Sequence, residues 1–288
     1  MLRLYASYTG GSGSSAEAQV GQDLAQYTAS GFRVEVVLCY RPSDGKRSLD
    51  VPGFVEFVQA AVEQLGPNHG VVALQVTNEA NVSGAPNAAD GYYAGASDAL
   101  IAGVEAAKAT IVHDGFSQLK VGFSWAYQLD SAERSFWSYL GQRGGVAFRR
   151  ALDWVGIDAY PGTWGPPLAA NVDLASAVRR ATVNALSSLR NTYMPLAGIP
   201  GSTPIHVSES GAPTGAVRSE QQQSITLQAA VRAVSDYRAS YAVTDYRWFD
   251  LRDASTSSPS FEDHYGLMTD TYTAKPAFSV YHTLVSNL

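Results

Sequence analysis

Seven short runs rich in β-branched and aromatic residues alternate with stretches of helical periodicity along this 288-residue chain. The runs are Leu2–Ser7, Phe32–Tyr40, Val71–Thr77, Lys120–Trp125, Trp154–Tyr160, Pro204–Ser208 and Asp245–Asp250, each bounded by turn residues. Between them, apolar side chains recur at helix spacing: Val20, Leu24 and Tyr27; Phe54, Val58, Ala61 and Leu65; Leu100, Val104, Ala107 and Ile111. Ser14 with Glu17, Asp130 with Glu133, and Ser219 with Gln222 have capping-box spacing. Pro52 and Pro276 suit first helical turns. Alternation of this length predicts an α/β fold on a parallel sheet. Composition does not break along the chain, so a single barrel domain over residues 1–288 is expected.

The predicted connections are asymmetric. Helix-to-strand links such as Ser30-Gly31 are short, whereas Arg41–Asp50, Ala80–Asp90, Pro161–Ala170 and Leu251–Tyr265 are long strand-to-helix loops. Gly10–Ser15 reads as another. Long loops gathered on one face of a parallel barrel usually carry function. Two glutamates stand at strand tips on that face: Glu79 closes Val71-Val-Ala-Leu-Gln-Val-Thr-Asn-Glu79, and Glu209 closes Pro204-Ile-His-Val-Ser-Glu209. Strand alternation sends Gln75, Thr77 and Glu79 to the barrel axis, with Gly156, Asp158 and Tyr160, with Ile205, Val207 and Glu209, and with Arg3 and Tyr5. It sends His206 and Ser208 to the helix layer. Two carboxylates across a barrel mouth are the equipment of glycosidic bond cleavage.

Other features narrow the alternatives. The net charge of −6 without a basic run excludes nucleic acid as an expected partner. No apolar stretch has membrane-spanning length, so no membrane partner is expected. Cys39 is the only cysteine; it reads as a small buried hydrophobe and excludes an intramolecular disulfide. The five histidines and nearby acids show no metal spacing, so no metal and no cofactor are expected. His206 reads as structural, while His264, in the last long loop, is a candidate substrate contact. Trp125 follows a strand and suits the cleft or the core equally. Asn81-Val-Ser83 is a formal glycosylation sequon whose place beside Glu79 speaks against that use.

Asn78-Glu79 after an apolar strand resembles the Asn-Glu motif of glycoside hydrolase clan A, a clan of (β/α)8 TIM barrels. Val207-Ser-Glu209-Ser-Gly-Ala-Pro-Thr-Gly215 resembles the clan's seventh strand. Its wording is nearest to family 17, although Ala212 stands where an aromatic is usual there; other segments are similar to families 39 and 5. The resemblance runs from Arg3 to Phe278. It implies that Glu79 is the general acid/base, Glu209 the nucleophile and Asn78 a ligand of the sugar 2-hydroxyl. It also implies that Arg3 supports the nucleophile and Trp248 floors the cleft. Tyr160 is placed to donate a hydrogen bond to Glu209. The implied activity is retaining hydrolysis of β-linked glycans by a secreted, monomeric enzyme whose partner is an oligo- or polysaccharide.

Two alternatives stay open. A carbohydrate-binding barrel without catalysis would share the fold, and a barrel lyase or aldolase would want a metal site or a strand-end lysine. The strand count adds an expectation. The clan carries its glutamates on strands four and seven, and here they fall on strands three and six, so the barrel is expected to lack its first β/α unit in this chain.

Overall fold

The structure is a computed structural model that describes residues 1–11, 14–42, 49–128, 132–216 and 218–287. Seven strands occur among them: β1 (Leu2–Tyr8), β2 (Val34–Tyr40), β3 (Val71–Val76), β4 (Lys120–Ala126), β5 (Trp154–Asp158), β6 (Ile205–Glu209) and β7 (Val243–Tyr246). The helices are α1 (Ala16–Ala29), α2 (Val51–Leu65), α3 (Ala96–Asp114), α4 (Ala132–Ala151), α5 (Leu174–Ser188), the short α6 (Met194–Leu196), α7 (Glu220–Tyr241) and α8 (Pro276–Asn287). In the sheet the strands follow sequence order from β1 to β7. Every predicted strand is present. The seventh is shifted toward the N-terminus: backbone pairing as a strand starts at Val243 and stops at Tyr246.

Contacts divide the chain into two compact units. One holds Met1–Ala126, Ser131–Gly156 and Tyr193–Thr203. In it β1 pairs with β2 over seven residues, β2 with β3, and β3 with β4, all in parallel. The helical faces read from the sequence are buried here: Phe54, Val58, Ala61 and Leu65 on α2, and Leu100, Val104, Ala107 and Ile111 on α3. These apolar stripes, at i, i+4, i+7 and i+11, cover the sheet and leave water. Gly122 has a packing reason, since a Cβ there would lie 2.2 Å from the Trp154 ring.

The second unit holds Tyr127–Asp130, Ile157–Thr192 and Pro204–Leu288. There β6 and β7 pair in parallel, with a register irregularity at Ile205/His206. Leu227 and Val231 of α7 pack with Leu267, Ala277 and Leu284 in one apolar cluster.

The start signals fare unevenly. Ser219 and Gln222 form the full capping box on α7. Pro52 and Pro276 lie in first turns. The cap of α1 is Ser15, which accepts from the Ala18 N–H, and Ser14 instead accepts from the Thr9 N–H at 3.1 Å. Asp130, and parts of the Gly10–Ser15 and Arg41–Asp50 loops, lie outside the described residues.

Candidate active site

In the first unit, the tip of β3 is a strained turn. Thr77 and Glu79 both have left-handed backbones, with φ of 62° and 48°. Neither is glycine, and such strain persists only where surroundings over-determine it. The determining group is Asp90, fully buried at the far end of the β3–α3 loop. Its carboxylate accepts from the Asn78 N–H at 2.8 Å, from the Tyr40 N–H at 2.7 Å and from Arg41 Nε at 3.3 Å. Its own N–H donates to the Asn78 carbonyl at 2.8 Å. Burial pushes the Asp90 carboxyl up to about 6, against the pull of those two backbone donors and Arg41.

A polar chain lies beneath Glu79. Glu35, fully buried, pairs with Arg3 at 3.1 Å, and Arg3 donates to the Gln75 side chain. Gln75 in turn donates to the Thr77 carbonyl at 3.0 Å, to Asn78 Oδ1 at 3.3 Å and to Ser124 Oγ at 3.0 Å. The Glu79 N–H donates to the same Ser124 oxygen at 3.3 Å. Asn78 spends its Nδ2 on the Ala88 carbonyl at 2.9 Å, so within this unit its amide fastens the loop. The chain has no apolar gap from Glu35 to the strand tip, and this fixes where the Glu79 backbone lies.

Trp125 is fully buried, packed on Trp137 and Tyr193, and donates to the buried Glu133. It therefore has no surface to offer a sugar, and the cleft role considered for it is corrected to a core role. Strand alternation explains it: Phe123 and Trp125 share the face that meets Trp137 of α4. Asn81 donates to the Ala126 carbonyl at 2.9 Å and to Glu133 at 3.0 Å, so the sequon amide is already engaged.

In the second unit, Glu209 ends β6 with 8% of its surface exposed. Tyr160, just past β5, donates its hydroxyl to Glu209 Oε2 at 2.5 Å. The Tyr160 ring packs edge-on against Phe249 and Tyr265, with centroids 6.2 and 5.5 Å away. Gly211 explains the glycine of the Ser-Glu-Ser-Gly wording. A Cβ there would lie 2.3 Å from the Phe249 carbonyl, 2.9 Å from the Tyr265 ring and 3.0 Å from the Tyr160 ring.

Two residues singled out in the sequence find their neighbours in this unit. Trp248 packs against the Leu227–Leu284 cluster, and its successor Phe249 meets Tyr160. Ser208, assigned to the helix layer, donates to Asp158 Oδ1 at 2.6 Å.

His264 is also fixed. Its ring Nε2 meets the Ser258 carbonyl at 2.7 Å, and its own carbonyl accepts from the Thr214 N–H at 3.1 Å. Buried Lys275 joins it by donating to Asp253 at 2.7 Å and Thr214 at 3.0 Å. The histidine thus anchors the last loop. Sequence reasoning missed Asp90, Glu35, Glu133, Phe249 and Asp250. Asp250 is a carboxyl held above its usual range by burial, with the charge of Glu209 adding to that effect. Only Asp250 carried a visible signal, as the acid ending the seventh predicted strand.

No protein-family model and no curated protein matches the chain. Solved structures do. A GH5_18 protein from Bifidobacterium longum subsp. longum has a TM-score of 0.69 at 15% identity, covering 99% of this chain and 69% of that one. The β-glycosidase of the hyperthermophile Thermosphaera aggregans has a TM-score of 0.65 at 17% identity, over 94% and 71%. A β-D-glucuronidase of Dictyoglomus thermophilum has a TM-score of 0.60 at 13% identity, over 93% and 43%, so this chain spans less than half of that protein. At these identities the likeness shows the fold. It is the α/β fold of TIM-barrel glycosidases, which agrees with the clan A resemblance of the sequence, and no family within the clan is assigned.

Proposed function

We propose that the chain is a retaining glycoside hydrolase acting on β-linked glycans, with Glu209 as nucleophile and Glu79 as general acid/base. The observation that carries this reading is the setting of Glu209. A largely buried carboxylate at a strand tip receives a short hydrogen bond from a tyrosine wedged between two other aromatic rings. A nucleophile needs to be held in one direction, and a hydroxyl donor does that. Glu79 supports the reading from its own unit, on a strained tip fixed by backbone bonds to Asp90 and Ser124.

In this mechanism Glu209 attacks the anomeric carbon while Glu79, protonated, gives its proton to the leaving oxygen. Glu79 then takes a proton from water, which attacks the glycosyl-enzyme and frees Glu209. The glycosidases that share the fold favour this class of reaction by analogy. Asn78, Arg3, Tyr160 and Phe249 are the residues proposed to shape the sugar site, with oligo- or polysaccharide as partner and a single catalytic domain over residues 1–288. A further proposal is that the first β/α unit of an eightfold barrel is not among these residues; shifting the strand count by one puts the glutamates on strands four and seven.

The test is a panel of aryl β-glycosides and β-linked polysaccharides. Hydrolysis that retains anomeric configuration, followed by NMR in the first minutes, is the expected result. Binding of glycans with no turnover on any of them would overturn the enzyme reading, and inversion would overturn the roles.

A further inference from the structure

Beside Tyr160, the segment after β5 and the flank of α5 enclose a cavity of about 160 Å³. At about 30 Å³ per liquid water this is room for roughly five waters, or for one small ring-borne group. Its walls include Tyr127, Tyr160, Trp164 and Leu168, and its polar groups include Arg180 and Asn184. Mostly apolar walls with a few polar groups are what small-molecule sites look like. The two neighbouring arginines of α5 differ. Arg179 pairs with Asp236 at 2.6 Å, whereas Arg180 has no hydrogen bond or ion pair to any described residue.

A second cation lies on the other side of the same loop. Arg218 donates to Thr163 Oγ1 at 3.3 Å, to the Pro213 carbonyl at 3.4 Å and to the Gly162 carbonyl at 3.4 Å, all neutral acceptors. A Cβ on Gly162 would lie 2.8 Å from Leu168, a cavity wall, and 3.4 Å from Arg218. One turn of backbone therefore separates Arg218 from the cavity. Burial holds its guanidinium below the usual arginine range. Arginine keeps its proton in proteins, so this is a partly desolvated charge without a counter-ion among the described residues. In a chain of net charge −6, two arginines without acidic partners among the described residues, flanking one cavity, call for an anion.

We propose that this cavity binds the carboxylate of an acidic sugar, a uronosyl residue, with Arg180 as its counter-ion. Asn184 supplies a hydrogen bond, Trp164 and Tyr127 supply flat faces for the ring, and Arg218 adds positive field. The Tyr160 hydroxyl reaches Glu209, so an occupant here lies one side chain from the proposed nucleophile. Its use as the leaving-group side of the bond-cleaving site rests on the function proposed above; the carboxylate binding does not.

The experiment is calorimetric titration of the full chain with D-glucuronate, D-glucose and acetate at low salt. Glucuronate is expected to bind at least tenfold more tightly than either of the others, and more weakly as salt rises. Arg180→Ala is expected to lose at least tenfold, Arg180→Lys to recover part of it, and Arg179→Ala to leave it unchanged. Equal binding of glucose and glucuronate, or unchanged binding in Arg180→Ala, overturns the proposal. Acetate binding as tight as glucuronate overturns its sugar part. Hydrolysis of aryl glycosides without glucuronate binding sinks this inference alone, and glucuronate binding without any hydrolysis sinks the hydrolase reading alone.

Discussion

The tip of β3 and the tip of β6 carry the same side chain at the end of the same kind of strand, and they are built differently. The Glu79 tip is held through its backbone. Left-handed residues at Thr77 and Glu79 turn the chain, and buried Asp90 ties that turn to β2 by accepting from Asn78 and Tyr40. The Glu209 tip is held through its side chain, by Tyr160, with Gly211 leaving space for three rings to meet. The difference suits the proposed roles. A nucleophile must keep one trajectory, so its carboxylate is fixed directly. An acid/base must give a proton to a leaving group and then take one from water, so its strand tip is held in place.

Substitutions can break this contrast. The largest expected effect is Glu209→Ala, which abolishes turnover and regains it with azide, measured by release of an aryl leaving group. Glu79→Ala comes next, with a loss of about 100- to 10,000-fold on poor leaving groups and much less on good ones. Equal losses across leaving groups would erase the distinction between the tips. Tyr160→Phe removes one hydrogen bond to a charged group, worth about 1.5–3 kcal/mol, so a fall of roughly 10- to 100-fold in kcat is expected. An unchanged kcat would show that Glu209 does not depend on its side-chain clamp.

The smallest effect sharpens the other side. Asp90 titrates at about 6 in the fold, above its ordinary value of 3.8. Its folded state therefore holds a proton longer than the unfolded chain. The associated stabilisation is fully present below pH 3.8 and is lost as pH rises through about 6. Asp90→Asn should remove that downward contribution to the stability slope between pH 4 and 6, read from urea midpoints at several pH values. Parallel slopes in the two proteins would contradict the burial given for Asp90.

Much of this was legible in the residues. Long periodic helices such as α2 and α3 declare themselves, and the strand-like runs Val71–Thr77 and Pro204–Ser208 place Glu79 and Glu209 at strand tips. What stayed hidden depends on distance through space. Asp90 is eleven residues from Glu79 in a loop rich in small residues, and nothing local marks an acid that bonds to β2. Trp125 and Trp248 show the converse. Aromatic rings near a strand end read equally well as cleft or core, and only the packing of Trp137 or Leu227 decides. Parity also failed at Ser208, which the period of two sent to the helix layer and whose hydroxyl donates to Asp158.

The roles assigned to the two glutamates meet their most direct test in trapping. Incubating the chain with an activated 2-deoxy-2-fluoro β-glycoside slows the second step more than the first, so a glycosyl-enzyme accumulates. Peptide mass spectrometry should find the sugar on Glu209 and nowhere else. Label on another residue, or turnover with inversion and no label at all, would contradict the account.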